Sequence, residues 1–214
     1  MKMTIIDSFA ALPLGLYLEI LAVNADEARD EVDRQVATLA LLTNTSEREI
    51  LNLPIPEYSE LAAAARFLGE QPAIPSRIAA SYVCGPFRLK PTADFRRITA
   101  AQYIDFQTFA PEGDARFVEL LSVFLVPEGK DYNDGYDVLE VQSAIRADLT
   151  VLDALALSAF FLTRFARSIR ATETSLCRLV KKERNPKRRA KMEEQLARLQ
   201  AAKASLTAGA GSAT

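Results

Sequence analysis

The sequence predicts a mainly α fold: a multi-helix globular body, a small β element around residues 76–91 and a charged C-terminal helical extension. Three observations predict it. Apolar residues recur at helical spacing over most of the 214 positions, Ser/Thr capping signals punctuate those stretches, and four of the ten prolines crowd between residues 72 and 91. The expected organisation is a body over 1–170, a basic helical extension over 171–206, and a disordered Gly/Ala-rich tail over 207–214.

Leu14–Val23 is apolar nearly all round and reads as a buried short helix in preference to a strand. Asn24, three residues before Glu27, opens a helix over Ala25–Leu42, whose apolar Val32, Val36, Leu39 and Ala40 recur at helical spacing. Its first turns carry Asp26, Glu27, Asp30 and Glu31, which suits the positive end of a helix dipole. Ser46-Glu47-Arg48-Glu49 is a capping box before Ile50 and Leu51, with Pro54 as its stop. Tyr58–Leu68 follows as an alanine-rich helix ended by Gly69.

The proline-rich stretch differs. Tyr82-Val83-Cys84-Gly85-Pro86-Phe87-Arg88-Leu89 reads as two short strands, or one bent strand, broken at Gly-Pro and inserted between helical halves. Helices then resume. Thr99-Ala100-Ala101-Gln102 is a capping box followed by Tyr103, Ile104, Phe106 and Phe109, which spread over a broad face and whose aromatics read as core. Phe117–Val126 is a strongly apolar stretch closed by Pro127-Glu128-Gly129-Lys130. Asp137–Ala147 reads as a helix with Leu139, Val141 and Ile145 inward. Thr150-Val151-Leu152-Asp153 caps a long helix through Arg170, and a charged helical stretch follows from Thr172, restarting at Asn185-Pro186.

Composition narrows the chemistry. The chain has no histidine, which excludes His-based triads, His general bases and His-containing zinc sites. No nucleophile elbow, phosphate-binding loop, dinucleotide fingerprint or metal cluster occurs, so the reading is non-enzymatic, with no catalytic residue, cofactor or metal expected. Asp131-Tyr132-Asn133-Asp134-Gly135-Tyr136-Asp137 invites a calcium reading. It fails at the required glycine, where Tyr136 stands, and at the bidentate glutamate, where Gln142 stands. An Asx-type turn leading into a helix is the expectation there. Cys84 and Cys177 are widely separated, which suits reduced thiols in a cytoplasmic setting. Asp7 interrupts any leader-like apolar run, and the apolar stretch Leu149–Phe165 is shorter than the ~20 residues of a membrane span and carries Asp153 and Arg164. No membrane partner is expected.

Charge is distributed unevenly. Residues 1–150 hold 13 Lys/Arg against 23 Asp/Glu, a net −10, whereas residues 151–214 hold 13 against 5, a net +8. The candidate partner-binding residues are Arg178, Lys181, Lys182, Lys187, Arg188, Arg189 and Lys191, which with Arg184 place eight cations in 14 positions. An acidic protein partner ranks above nucleic acid, because the run lacks the interleaved aromatics of single-strand binders. Met192, Leu196 and Leu199 follow at helical spacing, a seam suited to self-association.

Four strings carry a resemblance: Ile98-Thr99-Ala100-Ala101-Gln102-Tyr103-Ile104-Asp105-Phe106-Gln107, then 120–130 (LLSVFLVPEGK), 132–137 (YNDGYD) and 153–162 (DALALSAFFL). Across roughly 96–165, and more loosely at Leu12–Gly15 and Ser46–Pro54, the chain resembles the tail assembly chaperones of tailed bacteriophages. The resemblance implies a protein that binds the tape-measure protein, or another phage tail protein, in the host cytoplasm before tube subunits polymerise. Two alternatives stay open: a structural tail, baseplate or connector component, and a nucleic-acid-binding accessory protein acting through the basic run.

Overall fold

The computed structural model describes residues 4–182 apart from Ala93, together with residues 186, 190, 193, 194, 196 and 197. The chain is mainly helical with one small sheet. In order, the elements are α1 (Leu14–Ala25), α2 (Glu31–Thr43), α3 (Glu47–Leu51), α4 (Ile55–Ala64), β1 (Tyr82–Cys84), β2 (Phe87–Pro91), α5 (Ala100–Phe109), α6 (Phe117–Phe124), β3 (Leu125–Pro127), α7 (Val138–Asp148) and α8 (Val151–Lys182). By internal contacts the chain divides into two units, Met1–Pro91 with Leu125–Leu157, and Thr92–Phe124 with Ser158–Thr214.

In the first unit, local signals set most helix ends. The Ser46 hydroxyl accepts from the Glu49 N–H while the Glu49 carboxylate accepts from the Ser46 N–H, completing the capping box of α3. The Ser46 N–H and hydroxyl, both donating to the Glu49 carboxylate at 2.8 Å, hold that carboxyl below the ordinary carboxylate range. The start of α2 corrects the expected one. Asp30, not Asn24, is its N-cap, accepting from the Asp33 N–H at 2.8 Å. Residues 26–29 form a turn instead, in which the Asp26 carboxylate accepts from the Ala28 N–H and Arg29 pairs with Asp26 and Glu47. α4 begins at Ile55, three residues before the expected Tyr58, with Pro54 as N-cap. Its last turn tightens into a 3₁₀ segment over Ala65–Gly69.

The apolar faces of these helices build two adjoining clusters. Val36, Leu39, Ala40, Ile50 and Leu61 form one, and Leu12, Ile20, Leu42 and Val151 the other. The N-terminal segment is tied in through its backbone: Leu14 N–H donates to the Leu149 carbonyl at 2.8 Å, and Val151 N–H to the Leu12 carbonyl at 2.9 Å. Those bonds bring α1 against α7 so closely that Gly15 has no room for a side chain. An added Cβ would lie 2.7 Å from the Arg146 carbonyl oxygen.

The β element is antiparallel, in the order β1-β2-β3. Cys84 pairs with Phe87 across Gly85-Pro86, and Gly85 takes φ +54°, a conformation glycine adopts at little cost. The third strand departs from the sequence pattern. Leu125–Pro127 reads as the end of an apolar helix, yet it leaves α6 to pair with Leu89–Pro91. Asp148 closes α7 on the unfavourable end for an acid. Its carboxylate accepts the Gly85 N–H at 2.5 Å, which offsets that placement and ties the hairpin to the helix. On α7, Val141 and Ile145 are buried as expected, whereas Leu139 is 73% exposed, on the outer side of the first turn.

In the second unit, an aromatic cluster supplies the core. Phe124 lies 5.0 Å from Phe95, 5.0 Å from Phe161 and 5.5 Å from Phe106, and Phe106 lies 4.3 Å from Phe165, all ring to ring. The spacings and tilts are those of favourable aromatic pairs. The Thr99/Gln102 capping box is complete, and Gln102 does more than cap. Its Nε2 donates to the Val123 carbonyl at 2.8 Å while its Oε1 accepts from the Thr99 N–H, so one buried amide joins α5 to α6. Replacing Gln102 by leucine orphans a buried carbonyl and a cap; it is expected to cost about 2 kcal/mol by chemical denaturation. The α5 aromatics divide: Phe106 is buried, Phe109 half-buried, and Tyr103 is 41% exposed while stacked 6.4 Å from Phe165; Ile104 is exposed. α8 is continuous over 32 residues, with no break between Arg170 and Thr172. Asn185 of the expected restart and the tail over 207–214 lie outside what is described.

Candidate interaction surfaces

Of the sequence-predicted partner-binding residues, Arg178, Lys181 and Lys182 lie on the backbone of α8, and their side chains fall outside the described residues. Lys187, Arg188, Arg189 and Lys191 fall outside them entirely, as do Met192 and Leu199. The described part of the chain presents other features. Exposed apolar side chains stud the helices, among them Val32 on α2, Leu51 on α3, Ile55 at the start of α4 (81% exposed) and Ile104 on α5. Leu162 on α8 is partly exposed as well.

The loop from Asp131 to Asp137 is a turn built from backbone and side-chain bonds. Asp134 N–H donates to the Asp131 carbonyl, Asn133 N–H to the Tyr136 hydroxyl, and Asp137 caps α7 by accepting from the Leu139 N–H at 2.8 Å. Asn133 and Gly135 take positive φ, as an Asx-rich turn requires. Among the described residues no group of three or more acidic, Cys or His side chains is placed to hold a metal ion. No helix among them is long and apolar enough to cross a membrane.

The surroundings of Cys84 make its thiol unreactive. The side chain is fully buried, and burial, reinforced by the Asp148 and Asp153 carboxylates, pushes its thiol up from 9.0 to about 11. In a Cys177→Ser background, iodoacetamide at pH 8 is expected to label Cys84 only as fast as the protein opens. Because the folded state holds the proton more tightly, the thiol's contribution to stability is complete below about pH 9. It is lost as pH rises through about 11, and denaturant midpoints measured across that interval check the sign.

A groove of about 340 Å³ lies in the first unit between α2 and α4, lined by Asn24, Gln35, Thr38, Leu39, Ala62, Ala65, Arg66, Leu68 and Gly69. Its lining mixes aliphatic and polar side chains. Gln35 is held in place by the Tyr58 hydroxyl, which donates to its Oε1 at 2.9 Å. The groove leaves little mark on the sequence. Its one legible trace is Thr38, the lone polar residue in Val36-Ala37-Thr38-Leu39-Ala40-Leu41-Leu42.

Compared with known proteins, the chain matches no protein family, no curated protein and no solved structure.

Proposed function

We propose that this chain is a non-enzymatic binding protein of the tail-assembly-chaperone kind, which holds a tape-measure protein in the host cytoplasm until tail-tube subunits enclose it. The observation that carries the reading is the set of four strings at 98–107, 120–130, 132–137 and 153–162. Physical considerations support it. A tape-measure protein is a long helical polymer that aggregates when its apolar faces are unprotected, and a helical binder with exposed aliphatic side chains can cover such faces. Ile104, exposed on α5 and inside the first string, is a contact of that kind. Many weak contacts along one client add to strong but reversible retention, as a displaceable chaperone needs. The basic run from Arg178 to Lys191 adds attraction for acidic stretches of the client and makes binding weaken with salt.

The test is the composition of particles. A chaperone is present with the tape-measure protein in assembly intermediates and absent from purified mature tails. A fixed number of copies per mature particle overturns this reading in favour of a structural component. Salt-sensitive DNA binding lost on charge reversal of Arg188, Arg189 and Lys191 overturns it in favour of a nucleic-acid accessory role.

A further inference from the structure

We propose that the loop carrying Pro72-Ala73-Ile74-Pro75-Ser76-Arg77 docks, as a polyproline helix, into an aromatic-lined groove with an acidic flank, of the SH3 kind, on a partner protein. This inference is independent of the tape-measure reading.

Residues 70–81, twelve in all, join Gly69 to Tyr82 without helix or strand. That is long for a connection inside a compact unit. The loop is pinned only near its ends. Glu70 N–H donates to the Phe67 carbonyl at 3.0 Å, and Ala79 N–H to the Tyr82 hydroxyl at 2.9 Å. Between them, residues 71–78 form no hydrogen bond or ion pair among the described residues. A polyproline helix has the same character, with no internal hydrogen bonds and a solvated backbone. The residues themselves favour that conformation. Each proline fixes its own φ at about −65° and steers the residue before it, Gln71 or Ile74, toward extended backbone. Glu70 already enters the loop extended, at φ −95° and ψ 153°. Both X-Pro bonds are trans, as a polyproline helix requires.

The spacing states the partner's chemistry. At three residues per turn and ~3.1 Å rise, Pro72 and Pro75 share one edge of such a helix, roughly 9 Å apart. Gln71-Pro72 and Ile74-Pro75 then form two successive X-Pro ridges, the shape that slots between aromatic side chains receive. A segment already restrained by two prolines loses little entropy when it docks. The second ridge is open to solvent: Ile74 is 48% exposed and Pro75 is exposed, while Pro72 is half-buried. Ile74 belongs to neither apolar cluster of the first unit, so the fold makes no use of it there. Arg77, two residues beyond Pro75, adds charge and direction. It is exposed and forms no ion pair among the described residues, unlike Arg29, Arg88 and Arg116. A carboxylate beside the groove can take its guanidinium in a two-pronged bond, which fixes which way the peptide runs.

The chain has no tryptophan, so the groove tryptophan of an SH3 domain selective for PxxPxR ligands reports docking of the full chain by its fluorescence. The expected result is a saturable one-to-one change in the micromolar range. Pro75→Ala and Arg77→Glu are each expected to weaken binding about tenfold or more. Their thermal midpoints should stay unchanged, because residues 71–78 bond to nothing else among the described residues. Arg97→Glu makes the same charge change at an exposed position outside the loop and is expected to leave binding unaltered. No saturable change, undiminished binding of Pro75→Ala, or an equal loss in Arg97→Glu overturns the proposal, the last in favour of unspecific charge attraction.

Discussion

Phe124→Ala will destabilise the chain by about 3–5 kcal/mol, the range for emptying a buried aromatic position. Phe124 is 1% exposed and touches Phe95, Phe106 and Phe161 ring to ring. Its backbone is engaged as well, since its carbonyl accepts the Thr92 N–H at 2.8 Å. Truncation leaves three rings facing a void that none can fill without leaving its other partners. Phe106 is held against Phe165 at 4.3 Å and Phe95 lies 6.3 Å from the same ring, so collapse is opposed from several sides. Urea denaturation monitored by far-ultraviolet circular dichroism measures the loss. Phe124→Leu is expected to retain more than half of the lost stability, because it restores most of the buried volume.

Gly15→Ala comes next, at about 3 kcal/mol, the upper end of the cost of overpacking. Helix propensity alone argues the other way, since alanine is favoured over glycine by up to ~1 kcal/mol. Geometry decides the sign. The new Cβ would meet the Arg146 Cγ and, at 2.7 Å, the Arg146 carbonyl oxygen. A flexible side chain can swing aside, but the carbonyl moves only if α1 and α7 separate. Separation would strain the Leu14–Leu149 and Val151–Leu12 backbone bonds that clamp the same junction. Gly69→Ala is the control: nothing lies within 4 Å of an added Cβ there, and no comparable loss is expected.

The sequence made legible those features that depend on residues near one another in the chain. The capping pairs Ser46/Glu49, Thr99/Gln102 and Thr150/Asp153 all form, because a cap is made within four residues and depends little on the rest of the fold. The Gly85-Pro86 break between two strands is legible for the same reason. What was not legible depends on distant partners. Leu125–Pro127 has the composition of the helix before it, and only pairing with Leu89–Pro91 makes it a strand. Asn24 and Asp30 are both competent caps, and the turn that separates them is stabilised by Arg29 reaching Glu47, 18 positions away. Leu139 and Val32 fit helical periodicity yet face outward, because periodicity gives a spacing and not which side finds a neighbour. The candidate surfaces follow the same division. The basic run can be read from composition, whereas the groove exists only once α4 packs beside α2.

Co-expression with a phage tape-measure protein tests the proposed function most directly. The expected result is that the tape-measure protein, insoluble alone, stays soluble and co-purifies with this chain. Ile104→Glu is further expected to weaken the retention about tenfold without lowering the thermal midpoint. A tape-measure protein that remains insoluble, or that is soluble without any association with this chain, contradicts the account.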